Sequence, residues 1–413
     1  MTPDVLIIGG GLAGLCCGRE LARRGVSFRI VEAAGHIGGR VRTDLVGGFR
    51  LDHGLQNYLT SYPEGRRVLD YDRLRLRPFH RTLLVRYAGK FHRLADPQDD
   101  LFTAVRSAFA PVGRLRDKLA AARLKGLANT DPAASPEGST LELLRAAGVG
   151  DAMIDRVFRP FLGTVFLERE LATSARLFRF VYHLFGRGRP CLPAGGMQEI
   201  PDQIAAAFPR GTIRLNSRVT GITDTTVALA TGERFTPRAV VLATHGPEAA
   251  VLSGGAVPEV GSNGNTTLYY SAEVSPLREP VLMLDGEGTG PATAVAVPSE
   301  VSRDYAYEAK GKSLVAASVV GVPADDDDAL DGRVRGQLGG WFGPGVDGWK
   351  LLRVYRIPHA LPTQPAGALE PWERSVKLRD GLFVCGDHRD QACINGAMVS
   401  GRRAAEAVAG ELK

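Results

Sequence analysis

Three glycines set the first piece of chemistry. Gly9-Gly10-Gly11-Leu12-Ala13-Gly14 follows the short apolar run 4–8 and opens a helix-compatible stretch, 15–24, that Gly25 stops. A second β-branched run, Phe28-Arg29-Ile30-Val31, ends in Glu32 and Ala33. Gly9 permits a tight turn, Gly11 lets backbone approach a pyrophosphate, and Gly14 lets the helix lie against the strand. The N-terminus of that helix offers unpaired N–H groups to phosphate, with Leu12 and Ala13 expected beside the cofactor, while Glu32 would accept hydrogen bonds from ribose hydroxyls. Strand, glycine turn, helix, strand and acid in this order make a dinucleotide-binding βαβ unit.

Two further stretches carry compatible chemistry. Gly38-Gly39-Arg40-Val41-Arg42-Thr43 is followed by Gly48-Phe49-Arg50-Leu51-Asp52-His53-Gly54. Guanidinium groups bind phosphate oxygens with charge-assisted hydrogen bonds, and paired glycines allow close backbone approach. Near the other end, Leu382-Phe383-Val384-Cys385-Gly386-Asp387 reads as a buried strand ending in an acid. Asn395-Gly396-Ala397 then enters a helix. Taken together, the three stretches resemble the flavoprotein family that contains amine oxidases, protoporphyrinogen oxidases and phytoene desaturases. The resemblance implies FAD as cofactor, with Gly38, Gly39, Arg40 and Arg42 along its pyrophosphate and Gly386 and Asp387 at the ribityl or phosphate part. It implies that the helix start at Asn395, Gly396 and Ala397 faces the flavin O2 edge, and it adds Val219 to the cofactor contacts.

These motifs require an α/β fold: a Rossmann-like FAD-binding domain with a discontinuous α+β substrate-binding domain. The expected cofactor pieces are 1–60, 191–250 and 376–413, and the substrate pieces are 61–190, helical and mixed, and 251–375, a sheet with a helix. Within them the pattern predicts a helix over 61–70 and a hairpin of 83–87 with 91–94 through Ala88-Gly89-Lys90. Helices over 101–127, interrupted near Pro111, and a linker over 129–138 follow. From 151 to 185 the text is helical and rich in aromatics: Phe158, Phe161, Phe166, Phe178, Phe180, Tyr182 and Phe185. Core packing, pocket lining and an amphipathic face at a membrane are all open for this block. A helix over 198–208 and strands at 213–222, 226–229 and 239–244 return to the cofactor domain. A second sheet is expected from 266–270, 281–284, 292–297, 313–320 and 351–357, with a helix over 329–342 capped by the Asp325–328 run.

Composition excludes several classes. With 44% hydrophobic and 23% charged residues over 413 positions, the chain is an ordinary globular protein of two to three domains. Five scattered cysteines lack metal-ligand spacing, so no metal site is expected. The net charge of +6 is dispersed along the chain, which argues against nucleic acid and leaves an anionic membrane surface as a peripheral contact. The acidic start of the chain predicts a cytoplasmic protein. No serine triad, CxxC or carboxylate pair is present, and hydride chemistry on flavin remains.

The expected reaction removes hydrogen from a lipophilic small molecule, in the manner of a carotenoid or terpenoid desaturase or a porphyrinogen oxidase, with oxygen or a quinone as acceptor. Alternatives are an amine oxidase, a redox-neutral flavin isomerase or mutase, and a non-catalytic FAD-binding protein. Many amine oxidases of the family carry a lysine in the strand aligned with 266–270, where this chain has none. No residue is assigned as the catalytic base; His53, which either supports the cofactor, sits in the substrate cavity or is simply packed, is a candidate for a role at the site, as are Tyr58, His183 and Tyr270.

Overall fold

In a computed structural model, residues 3–95, 110–127, 131–309 and 311–413 are described. The expected helical residues 101–109 and part of the 129–138 linker lie outside them.

Val5–Ile8 is the hub of a six-stranded sheet. It pairs in parallel with Phe28–Val31 on one side and Ala239–Leu242 on the other. Ile213–Arg214 and Leu382–Val384 extend the parallel set, and Lys377–Arg379 closes one edge antiparallel. Both faces of the hub strand are covered, which is why it is apolar at every position. Ile7 and Val5 face a core shared with helices Leu12–Arg23 and Ile394–Glu411. Leu6 and Ile8 face a core shared with a small sheet of Val219–Thr223, Thr226–Leu229 and Arg234–Phe235. The first and last helices lie against each other so closely that a methyl group on Gly401 would sit 2.1 Å from the Ala13 carbonyl oxygen.

The second sheet has seven strands, in the order Lys350–Pro362, Ser262–Ala272, Ser313–Val320, Ala292–Ala296, Leu282–Asp285, Leu83–Tyr87 and Lys90–Leu94. Every neighbouring pair is antiparallel except Leu282–Asp285 with Leu83–Tyr87. The hairpin between the last two strands turns at Ala88 and Gly89, both with positive φ, of 52° and 74°. One face of the sheet, including Leu268, Tyr270, Val315 and Ala317, packs under helix Asp327–Phe342. Asp326 caps that helix by accepting a hydrogen bond from the Ala329 N–H at 2.8 Å.

The 151–185 text is not one helix. Asp151–Met153 passes through a π-turn, Ile154–Phe158, into Arg159–Phe166; a loop follows, and Ala175–Arg187 begins at the Ser174 cap. In the loop Leu167 and Leu171 adopt φ of 56°. The Glu168 carboxylate holds the turn by accepting from the N–H groups of Leu171 and Thr173, at 2.7 and 3.2 Å. The seven aromatics are turned inward and none is exposed. Phe158, Phe166 and Phe178 are buried in a core with the sheet residues Val85, Leu284 and Ala294. No helix among the described residues is long and apolar enough to cross a membrane.

Candidate active site

A single cavity of about 1530 Å³ runs from the glycine turn at the end of Val5–Ile8 to the helical block. Gly9, Gly11, Leu12, Ala13, Glu32, Ala33, Gly38, Gly39, Arg40, Val219, Gly386, Asp387 and Ala397 all line it. Several of these positions are forced. At Gly9, φ is 115° and an added Cβ would lie 2.6 Å from the Ala243 carbonyl oxygen. Gly14 does not line the cavity; its missing side chain lets the helix touch the Gly9 carbonyl, which a Cβ would approach to 2.0 Å. At Gly11, by contrast, an added Cβ would meet nothing within 4 Å, so the backbone there is bare toward the cavity. The helix that begins here is 12 residues long and has no side-chain cap, leaving its first N–H groups for a ligand.

Glu32 is fixed by two backbone donors, Gly10 N–H at 2.7 Å and Ala34 N–H at 2.7 Å. The Arg40 guanidinium binds the Ala360 carbonyl at 2.9 Å and the Asp387 carboxylate at 2.7 Å, so these two cofactor candidates neutralise each other at the cavity wall. Arg42 is placed elsewhere. It does not line the cavity, but pairs with Asp44 at 2.7 Å and with the His36 ring. Asn395 and Gly396 are also set back. The Asn395 carboxamide accepts from the Glu64 N–H at 3.0 Å, and Gly396 packs on the Gln391 carbonyl, 1.9 Å from where a Cβ would stand. These two shape the helix start, whose Ile394 and Ala397 face the cavity.

The cofactor end fits FAD. The bare helix start and the Glu32 carboxylate are joined there by the Thr244 hydroxyl, which is buried, lines the cavity and has no partner. Such an orphaned group calls for a ligand or water. Thr244 and His245, immediately after Ala239–Leu242, were not singled out from sequence. The signal was available, since open α/β sheets bind ligands at the carboxyl ends of their strands. His245 stacks on His359 with ring centroids 5.0 Å apart.

The other end of the cavity is mostly apolar, walled by Leu55, Phe79, Met153, Phe161, Phe166, Tyr182, Phe185, Leu282 and Leu361, with Arg81, Lys118 and Arg187 also in its lining. Its described carboxylates, Glu32, Glu248 and Asp387, all belong to the nucleotide end. Of the four catalytic candidates, His53 and His183 line the cavity; Tyr58 and Tyr270 do not. Tyr58 is fully buried under the glycine-turn domain and hydrogen-bonds Tyr71 at 2.9 Å. Tyr270 points to the helix-covered face of the large sheet, beside Trp349 and Arg335. Its neighbour Tyr269 takes the inner face and donates to the Gly54 carbonyl at 3.0 Å. On that same face Asn265 lines the cavity, with its carboxamide held by Thr267 at 2.9 Å and Ser318 at 3.0 Å.

The architecture is shared with solved structures. A candidate protoporphyrinogen oxidase from Exiguobacterium sp. 255-15 is similar with a TM-score of 0.76 at 17% identity, over 100% of this chain and 99% of that one. Cyclohexylamine oxidase from Brevibacterium oxydans IH-35A gives 0.74 at 18% identity, over 100% of both chains. A reduced UDP-galactopyranose mutase gives 0.71 at 16%, over 99% of this chain and 96% of that one. At these identities the likeness establishes the fold. The family model of flavin containing amine oxidoreductases matches residues 12–409, nearly the whole chain. With its glycine turn, Glu32 and the long cavity between them and the aromatic wall, the chain belongs to that family and is an FAD-dependent oxidoreductase.

Proposed function

We propose that this chain dehydrogenates a lipophilic small molecule held in the apolar half of the cavity. The observation that carries the reading is the continuity of that cavity from the nucleotide turn to a wall of aromatic and aliphatic side chains. Bound FAD supplies a two-electron hydride acceptor. The chain would hold it with the first-turn N–H groups after Gly11, the bare backbone at Gly38 and Gly39, and Glu32 on the ribose. The aromatic wall would orient the substrate and exclude water.

The test is anaerobic absorbance of the holoenzyme with phytoene, protoporphyrinogen IX and cyclohexylamine, followed by mass spectrometry. Loss of the oxidised-flavin band with a product two hydrogens lighter is expected from one of the first two. Conversion without net bleaching would instead indicate isomerisation. Amine oxidation is the second reading, favoured by the likeness to cyclohexylamine oxidase. Against it stand Asn265, with no lysine on the inner face of its strand, and the lack of a described carboxylate at the apolar end to pair with an ammonium. Glu32→Ala should weaken FAD binding about a hundredfold, because a charged hydrogen-bond acceptor is lost. Equilibrium dialysis against free FAD reads this directly, and unchanged affinity would remove Glu32 from the ribose.

A further inference from the structure

We infer that His53, oriented by Asp44, is the proton acceptor of the dehydrogenation, a role that rests on the reaction proposed above. His53 lies at the end of strand Phe49–Asp52, and Asp44 lies opposite on strand Thr43–Val46 of the same two-stranded sheet. The His53 Nε2 is 3.0 Å from Asp44 Oδ2. Its ring also rests on Tyr355, with centroids 4.6 Å apart. Among the described residues Nδ1 has no hydrogen bond, and the residue lines the cavity.

The charges around Asp44 decide which nitrogen carries the proton. Besides His53, the carboxylate receives the Tyr355 hydroxyl at 2.8 Å, Arg42 at 2.7 Å and Arg353 at 3.3 Å. Burial pushes the Asp44 carboxyl up, but the hydrogen bonds from Tyr355 and His53 and the charge of Arg42 hold it below its usual range. An ionised carboxylate only accepts, so Nε2 must donate and Nδ1 must carry the lone pair. The His53 pKa lies below its usual value. Burial lowers it, the Asp44 hydrogen bond and charge oppose this, and Arg42 and His36 add to the lowering. At neutral pH the ring is therefore uncharged, with its basic nitrogen uncommitted.

One hydrogen leaves a substrate carbon as hydride, with its electron pair, to the oxidised flavin of the family's chemistry. The neighbouring atom loses a proton to His53 Nδ1, and the electron pair of that broken bond becomes the new double bond. Asp44, held ionised by Arg42, Arg353 and the Tyr355 hydroxyl, stabilises the imidazolium that forms, and the proton returns from Nδ1 to water when product leaves the cavity. Asp44 is thus a positioning residue, and His53 the catalytic one.

Two measurements test this. In holoenzyme labelled with ¹⁵N-histidine, with signals assigned by loss in His53→Gln, His53 should be neutral at pH 7 with its proton on Nε2. Asp44→Asn should disturb that tautomer. A proton on Nδ1, or a charged ring at pH 7, would overturn the proposal. In anaerobic flavin reduction by phytoene, protoporphyrinogen IX and cyclohexylamine, the wild-type rate should fall as acid protonates His53. His53→Gln should retain FAD, reduce the limiting rate 10²- to 10⁴-fold and lose the acid limb, and added imidazole should partly restore His53→Ala. An unchanged rate and pH profile in His53→Gln sinks this proposal alone, whereas failure of all three compounds with wild-type enzyme sinks the reading of the reaction and this step with it.

Discussion

Gly14→Val is expected to abolish flavin retention and to lower the unfolding free energy by about 3 kcal/mol, the upper range for forced overpacking. The cause is backbone against backbone. A Cβ at this position would lie 2.0 Å from the Gly9 carbonyl oxygen and 3.3 Å from the Ala243 Cβ, so the whole helix must move off the sheet. Its other side is pressed on the C-terminal helix through Ala13 and Gly401, which leaves no free direction. Gly11→Ala is the matched control. Its backbone, with φ of −75°, accepts any residue, and the added methyl meets open space. That variant should unfold like wild type yet bind FAD more weakly, because the methyl intrudes where phosphate approaches. Denaturant unfolding together with bound-flavin absorbance separates the two. A Gly14→Val protein with wild-type stability and full flavin would falsify the packing account.

The second large effect is expected at Asp52, buried at the end of the strand that leads to His53. Its carboxyl receives the Thr43 hydroxyl at 2.5 Å, the Tyr305 hydroxyl at 2.6 Å and the Met197 N–H at 3.0 Å. It therefore ties the second motif to the 191–250 return through Met197 and to the substrate-domain piece 251–375 through Tyr305. Burial raises its pKa to about 6, despite those hydrogen bonds. With the folded pKa above the unfolded value, the contribution of Asp52 to stability is greatest below about pH 4 and declines as pH rises through about 6. The difference amounts to about 3 kcal/mol by pH 7. Asp52→Asn should remove that slope, since a carboxamide can accept from Met197 and Thr43 while donating to Tyr305. Asp52→Leu should cost about 3 kcal/mol or more at pH 5, because three buried donors lose their acceptor. Urea unfolding at a series of pH values checks both. A wild-type slope persisting in Asp52→Asn would assign it to another group.

What could be read in advance was what is local. The Gly9 to Gly14 turn, Glu32 and the strand around 239–244 are legible because a few adjacent residues dictate their backbone. Helix Asp327–Phe342 and its Asp326 cap are legible for the same reason. The break between Arg159–Phe166 and Ala175–Arg187 was hidden, because it is made by a Glu168 carboxylate folding back on Leu171 and Thr173, with no glycine or proline to mark it. Face assignment failed in a similar way. Tyr269 and Tyr270 are adjacent in an extended strand, so one residue decides which of two cores receives the ring, and both faces are apolar. Arg42 was expected at the phosphate because the resemblance implied it and a guanidinium suits phosphate. Nothing in its neighbourhood announced that Asp44, two residues on, would claim it.

The placement of Leu382–Val384 also governs how the protein comes into being. This strand completes the parallel sheet beside Ala239–Leu242, which itself lies against the first strand, and the helix after it clamps the first helix. The first helix therefore stays unclamped until residues 394–411 have been made, although the first strand already has Phe28–Val31 and Ala239–Leu242 to pair with. Contacts between segments so distant in sequence form slowly, because the intervening loop must be closed first. Flavin capture is expected to follow the docking of Ile394–Glu411 on the first helix.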